Sequence, residues 1–237
     1  MDVLPSAFKR LMKDVREMIK NPLHDNKIYY RHDEENILKG YILIIGPEDT
    51  PYAYGNYLFE VDYPYNYPTK PPKLRFLTNG ENIRMNPNLY RDGKVCVSIL
   101  NTWSGDQWSS CQTIKSVLIT LLTLFTKTPL LNEPGIQSNH PDVISYNNII
   151  SQKNISIAIC KVLNINDKFF EKYYTMFENE INENFIENYS KIIEFINNNL
   201  SVVSNVSIRL YGMRNVEINY NILKVNIEEL YLKLKIK

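Results

Sequence analysis

The sequence is poor in the residues that most often build cross-links, metal sites and acid–base pairs. Its 237 residues include three cysteines and three histidines. Cys96, Cys111 and Cys160 are isolated from one another, with neither the spacing of a metal site nor that of a disulfide framework. An odd set of isolated cysteines suits a reducing compartment. His24, His32 and His140 are scattered, and none adjoins a cysteine. A papain-like cysteine hydrolase wants a positioned histidine base, and no signature for one is present. Charge of one sign is also missing. Twenty-seven basic against 26 acidic residues leave a net +1, which argues against bulk electrostatic binding of nucleic acid or a membrane surface. The N-terminus lacks the apolar core and cleavage site of a signal peptide. No apolar run approaches the ~18 to 20 residues needed to span a bilayer. The expectation is a cytoplasmic and/or nuclear protein without metal or organic cofactor, with no internal repeat.

What is there reads as a core of ordinary density with an extension. Residues 5 to 20 carry Phe8, Leu11, Met12, Val15 and Ile19 at helical spacing, with Pro5 in the first turn and Asn21-Pro22 as the stop. The other face holds Lys9, Arg10, Lys13, Arg16 and Lys20. Four strand-like runs follow, at 27–32, at 39–45, around Tyr57-Phe59-Val61, and around Leu74-Phe76. Tyr57, Phe59 and Val61 alternate as a strand with one buried face should. Turn residues separate the runs without an intervening helix, so an antiparallel meander is predicted. The segment from Tyr63 to Pro72 has too many prolines for a central strand and must be a rigid loop. Residues 109 to 127 predict a helix apolar nearly all round, capped by Ser109 or Ser110 and therefore buried across the sheet. Helical periodicity returns from Pro141 to about Asn164, from Asp167 through Phe177, and from Phe185 to Ile196. Residues 201–213 have no clear period, and Ile218 to Leu234 could be a last helix.

Between sheet and central helix lies Met85-Asn86-Pro87-Asn88, followed eight residues after Asn88 by Cys96, at the end of a loop bearing Gly93. Pro87 fixes its own φ, and Asn86 and Asn88 are turn formers. The stretch is an ordered loop carrying one thiol. With Thr50-Pro51-Tyr52, Tyr63-Pro64, Tyr67-Pro68, Pro71-Pro72 and Trp103 through Trp108-Ser109 in the same order, the chain resembles the ubiquitin-conjugating enzymes. Arg84 to Asn88, Val95 to Leu100, the insertion Trp103–Trp108 and Asn132-Glu133-Pro134-Gly135 look like the large Z-type branch of that family.

The resemblance covers roughly residues 5 to 163. It implies an α+β ubiquitin-conjugating fold: a four-stranded antiparallel meander, an N-terminal helix, a central helix, C-terminal helices, and a helical extension. The implied domains are 1–163 for the core and 164–237 for the extension. It implies that Cys96 accepts ubiquitin or a ubiquitin-like modifier as a thioester from an activating enzyme, then passes it to a substrate lysine or ligase. Asn88 would donate to the oxyanion or hold the loop, with Pro87 shaping the turn. Lys9, Lys13 and Arg16 would dock the activating enzyme. Tyr63, Ser110 and Cys111 lie on the two loops with which the family grips ligases. From residue pattern alone, Cys111 and Cys160 read as small packed hydrophobes. Three positions depart from the family pattern. Asn86 replaces a histidine, and Ser98 and Thr128 stand where many relatives carry acids. Asp106, Asp92 and Glu133 are the candidates to substitute. The missing acids support a second reading, a non-catalytic modifier-binding scaffold; retention of Cys96 speaks against it.

Overall fold

The computed structural model describes residues 4–236. The first helix, α1 (Pro5–Lys20), starts at proline as expected, but its buried face is Ala7, Leu11, Asp14, Val15 and Met18. Phe8 and Ile19, expected inside, are exposed. The rotation has a local cause. Asp14 is buried because it accepts the Tyr67 hydroxyl at 2.6 Å and pairs with Arg10. Arg10 also donates to the carbonyls of Ser110 (2.7 Å) and Gln112 (2.6 Å). Arg10 thus ties α1 to the turn before the central helix rather than belonging to a free basic face.

Strands β1 (Ile28–His32), β2 (Lys39–Ile45), β3 (Asn56–Asp62) and β4 (Lys73–Phe76) form one antiparallel sheet in the order β1-β2-β3-β4. The central helix α2 is shorter than its apolar run suggests. It spans Ile114–Leu122, and its cap is Thr113, paired with Ser116 in a capping box, rather than Ser109 or Ser110. Ile114, Val117, Leu118 and Leu121 are buried, whereas Ile119 is exposed. Phe125, just beyond α2, meets Tyr57 and Tyr52 at ring-centroid distances of 4.6 and 5.0 Å.

The sheet is buried on both faces, not one. In register, Tyr41 faces Glu60, Leu43 faces Leu58, and Ile45 faces Asn56. All six share the face away from Tyr57 and Phe59, and all are buried. Helix α3 (Asp142–Lys153) runs on as a π-helix, Asn154–Lys161, whose Ala158 carbonyl accepts the Asn56 amide at 3.0 Å. Beyond it, α4 (Glu171–Met176) brings the Tyr173 hydroxyl to Glu60 at 2.8 Å and the Lys172 ammonium to the Tyr41 hydroxyl at 2.9 Å. Helix α5 (Glu178–Asn199) adds an ion pair from Glu180 to Arg31.

The extension is not wholly helical. Val203–Ile208 (β5) and Met213–Asn219 (β6) form an antiparallel hairpin, and the last helix, α6, begins only at Asn221 and runs to Ile236.

Candidate active site

The loop before Cys96 is held mainly by one buried amide. Asn86 is fully buried. Its Nδ2 donates to the Tyr52 hydroxyl oxygen at 2.8 Å and to the Leu124 carbonyl at 2.9 Å, while its Oδ1 accepts the Asn88 N–H at 2.9 Å. The Tyr52 hydroxyl in turn donates to the Met85 carbonyl at 2.9 Å. One side chain thereby joins the turn to the β2–β3 connection and to the end of α2. Pro87 is buried beside it.

Asn88 and Cys96 are bonded reciprocally. The Cys96 N–H donates to the Asn88 carbonyl at 2.8 Å, and Asn88 Nδ2 donates to the Cys96 carbonyl at 2.7 Å. In this state the amide fixes the cysteine's own backbone and is not free for an oxyanion. Cys96 is only 2% exposed, and its Sγ donates to the Thr102 carbonyl at 2.9 Å. The Thr102 hydroxyl accepts the Val97 N–H at 2.9 Å and lies 2.9 Å from the Val95 carbonyl. Thr102 is a residue that sequence reasoning missed. Its only signal is its place at the start of the Trp103–Trp108 insertion.

The insertion folds across the loop. A Cβ on Gly105 would fall 3.1 Å from that of Ser98, so the insertion crosses directly over Ser98, and Gly105 takes a φ of +125° that favours glycine. Trp108 anchors the far end, its Nε1 donating to the Pro68 carbonyl at 2.7 Å. Trp103 stays largely exposed, and Asp106 is exposed on the same insertion. Thr128 is half-buried at the start of the short 3-10 helix Pro129–Asn132. Asp92 accepts the Lys94 N–H at 2.9 Å, a bond that shapes its turn. Glu133 accepts the Tyr211 hydroxyl and is engaged by the extension rather than held free.

The expected ligase-gripping loops are placed only in part. Tyr63 is 3% exposed, its hydroxyl 3.1 Å from that of Tyr30 and its ring edge-on to Tyr67. The proline loop folds back on the sheet, so Tyr63 is a core residue, and the exposed aromatic there is Tyr65. Ser110 and Cys111 are exposed in the turn before α2, so Cys111 is not the packed hydrophobe its pattern suggested. Cys160 is mostly covered within the π-helix, and burial pushes its thiol up to about 12. Lys9, Lys13 and Arg16 are exposed along α1. Among the described residues, no group of three or more His, Cys, Asp or Glu could hold a metal ion, and no helix is long and apolar enough to cross a membrane.

The chain is 38% identical over 188 residues to ubiquitin-conjugating enzyme E2 Z of Homo sapiens, covering 73% of this chain and 52% of that protein. It is 43% identical over 141 residues to the probable ubiquitin-conjugating enzyme protein 17 of Caenorhabditis elegans, covering 56% of this chain and 19% of that protein. The chain thus spans about half the length of E2 Z and less of the worm protein. Among solved structures, human ubiquitin-conjugating enzyme E2 G1 aligns at a TM-score of 0.45 and 28% identity, over 52% of this chain and 97% of that one. The family model described as ubiquitin-conjugating enzyme matches residues 10–155, the segment that holds the meander, the Asn-Pro-Asn turn, Cys96 and α2. With relatives of this similarity and a family match over most of its length, the chain belongs to the ubiquitin-conjugating enzyme family.

Proposed function

We propose that this protein is a transferase that accepts ubiquitin or a ubiquitin-like modifier on Cys96 and passes it to an amine. The observation that supports this reading is the reciprocal bonding of Asn88 and Cys96 on a loop fixed by a fully buried Asn86. In charging, the Cys96 thiolate attacks the thioester carbonyl presented by the activating enzyme. A new C–S bond forms, the old one breaks, and the enzyme's thiolate leaves. In discharge, an amine attacks the same carbonyl, Cys96 departs as thiolate, and the ammonium gives up its proton. Thioester exchange asks little of the loop beyond a thiolate and access. Charging requires the Cys96 thiol to lose its proton and Sγ to leave the Thr102 carbonyl, to which it donates in the uncharged protein. Discharge builds an oxyanion, and Asn88 Nδ2 becomes its donor on releasing the Cys96 carbonyl, a role typically worth ~10² to 10³ in rate. Asp106 assists the incoming lysine in this reading, which is supported by its exposure on the insertion beside Gly105, the residue that crosses Ser98. Lys9, Lys13 and Arg16 form the docking face for the activating enzyme, and Ser110 and Cys111 part of a ligase-facing turn. The protein works in the cytoplasm or nucleus.

One observation favours the scaffold reading. Cys96 is buried with its thiol already bonded, as it would be in a fold that binds the modifier without carrying it. Incubation with activating enzyme, ATP and ubiquitin, read on a non-reducing gel, separates the two. The transferase gives a thiol-sensitive adduct, absent in Cys96→Ala, present in Cys111→Ala and Cys160→Ala, and converted to a stable isopeptide in Cys96→Lys. Reversal of Lys9, Lys13 and Arg16 to Glu slows charging at low salt and flattens its salt dependence, because exposed charges steer encounter. An adduct that survives Cys96→Ala refutes the site, and none in the wild type favours the scaffold.

A further inference from the structure

The tip of the β5–β6 hairpin lies against the loop that carries Asn88 and Cys96, and the contact is specific. Arg84 stands just before the Asn-Pro-Asn turn. Its Nε donates to the Asn86 carbonyl at 3.2 Å and its Nη2 to the Pro87 carbonyl at 2.5 Å, so one guanidinium fork holds two consecutive carbonyls of the turn. The guanidinium also lies 3.3 Å from the Tyr90 ring centroid and 5.0 Å from that of Tyr211. Tyr90 belongs to the same loop, whereas Tyr211 lies far along the chain in the extension.

Tyr211 takes a φ of +60°, in the left-handed region that a bulky residue rarely adopts. Such an outlier persists only where the surroundings over-determine it, and here they do. The Tyr211 hydroxyl donates to Glu133, its ring lies 6.1 Å from that of Tyr146, and its carbonyl accepts Arg91 Nη2 at 2.7 Å. The Tyr146 hydroxyl closes the circuit by donating to the Arg84 carbonyl at 2.7 Å. Tyr211 therefore grips the residues on either side of the turn, Arg84 before it and Arg91 after it.

Arg84 and Tyr211 are both half-buried. The carbonyls they fix would find water if released, so the clamp adds less to folding than to the order of the loop. Order at that point matters because Asn88 Nδ2 must move a short way from one acceptor to another. Resting on the transferase reading of Cys96, we infer that Tyr211 and Arg84 are positioning residues: through Arg84 the extension sets where Asn88 stands during discharge.

The test uses the full chain in single turnover, charging first and then chasing with free lysine. Tyr211→Ala is expected to charge to the wild-type extent and to discharge about tenfold more slowly, part of what removing the Asn88 donor costs. Tyr211→Phe keeps the ring on Arg84 and restores most of the rate, while Arg84→Lys, which loses the fork, does not. Tyr211→Ala combined with Asn88→Ala is no slower than Asn88→Ala alone, since both act through one donor. A merely structural role would slow charging and discharge alike and add to the Asn88 effect, and either result overturns the inference. A wild type that forms no adduct on Cys96 refutes the transferase reading instead. The clamp is then read in the uncharged protein from amide exchange at Asn88 and Cys96. Faster exchange in Tyr211→Ala upholds the positioning, and unchanged exchange refutes it.

Discussion

Asn86 stands where the family pattern has histidine, and its surroundings explain why the exchange is tolerable. A single amide donates twice and accepts once, with every partner buried or part of the turn itself. Asn86→Ala strands the Asn88 N–H and leaves a void in a fully buried site. The expected cost is about 2–3 kcal/mol, the usual penalty for an unsatisfied buried group plus lost packing. Asn86→His, able to keep one donor and one acceptor, should cost less. Urea unfolding of the two variants checks this, and a loss under about 1 kcal/mol for alanine would mean that Pro87 alone keeps the turn. The turn and its thiol were legible in the sequence because proline, asparagine and an eight-residue spacing are local signals. Tyr63 was expected exposed because the resemblance puts it on a ligase-gripping proline loop, and only the fold-back of that loop onto the sheet shows it buried. Arg84 and Tyr211 were not legible, because nothing local to either residue announces its partner.

At the scale of elements, the second face of the sheet was readable but not read. Tyr41 to Ile45 is an unbroken apolar run, which marks a strand buried on both sides; the alternation in β3 drew attention to one face only. The hairpin was missed because Val203 to Asn219 mixes serine, asparagine and β-branched residues without a clean period. Glu60 shows what the second face requires. Burial alone would raise its pKa, but the Arg75 guanidinium and the Tyr173 hydroxyl outweigh burial and hold the carboxyl below its ordinary 4.5. Lys153 and Lys161 do the same for Glu81, again against burial. A folded pKa below the unfolded one gives stabilisation that is complete above the unfolded value and lost as pH falls through the folded one. The melting temperature should therefore hold steady down to about pH 5 and drop below it. Glu60→Gln should cost about 1–3 kcal/mol at neutral pH, since the neutral amide bonds less well to Arg75, and should make the acid drop shallower. Calorimetry across that range decides the point, and an equally steep drop in the variant would assign it to other carboxylates.

For the whole molecule, the same face makes the segment after Leu163 structural rather than appended. Tyr173 and Lys172 reach Glu60 and Tyr41 from α4, Asn184 of α5 donates to the Tyr54 carbonyl at 2.9 Å, and Tyr211 clamps the Cys96 loop. The π-helix covers Asn56, but the cover over Tyr41 and Glu60 comes from residues beyond 163. Ending the chain at Leu163 would bare part of an apolar sheet face, with each large side chain returned to water costing about 1.5–3 kcal/mol. Several such losses together approach the whole stability of a typical domain. The truncated chain should be poorly soluble, bind a hydrophobic dye, and melt without a sharp transition. Replacing exposed Ile222 and Val225 of α6 by serine in the full chain, by contrast, should leave melting nearly unchanged, since both side chains already face water. Dye binding and calorimetry on the two proteins test the claim together. A truncated protein that melts cooperatively and discharges its thioester at the full-length rate would show that the family core stands alone here. The second face would then not need the cover that the extension gives it.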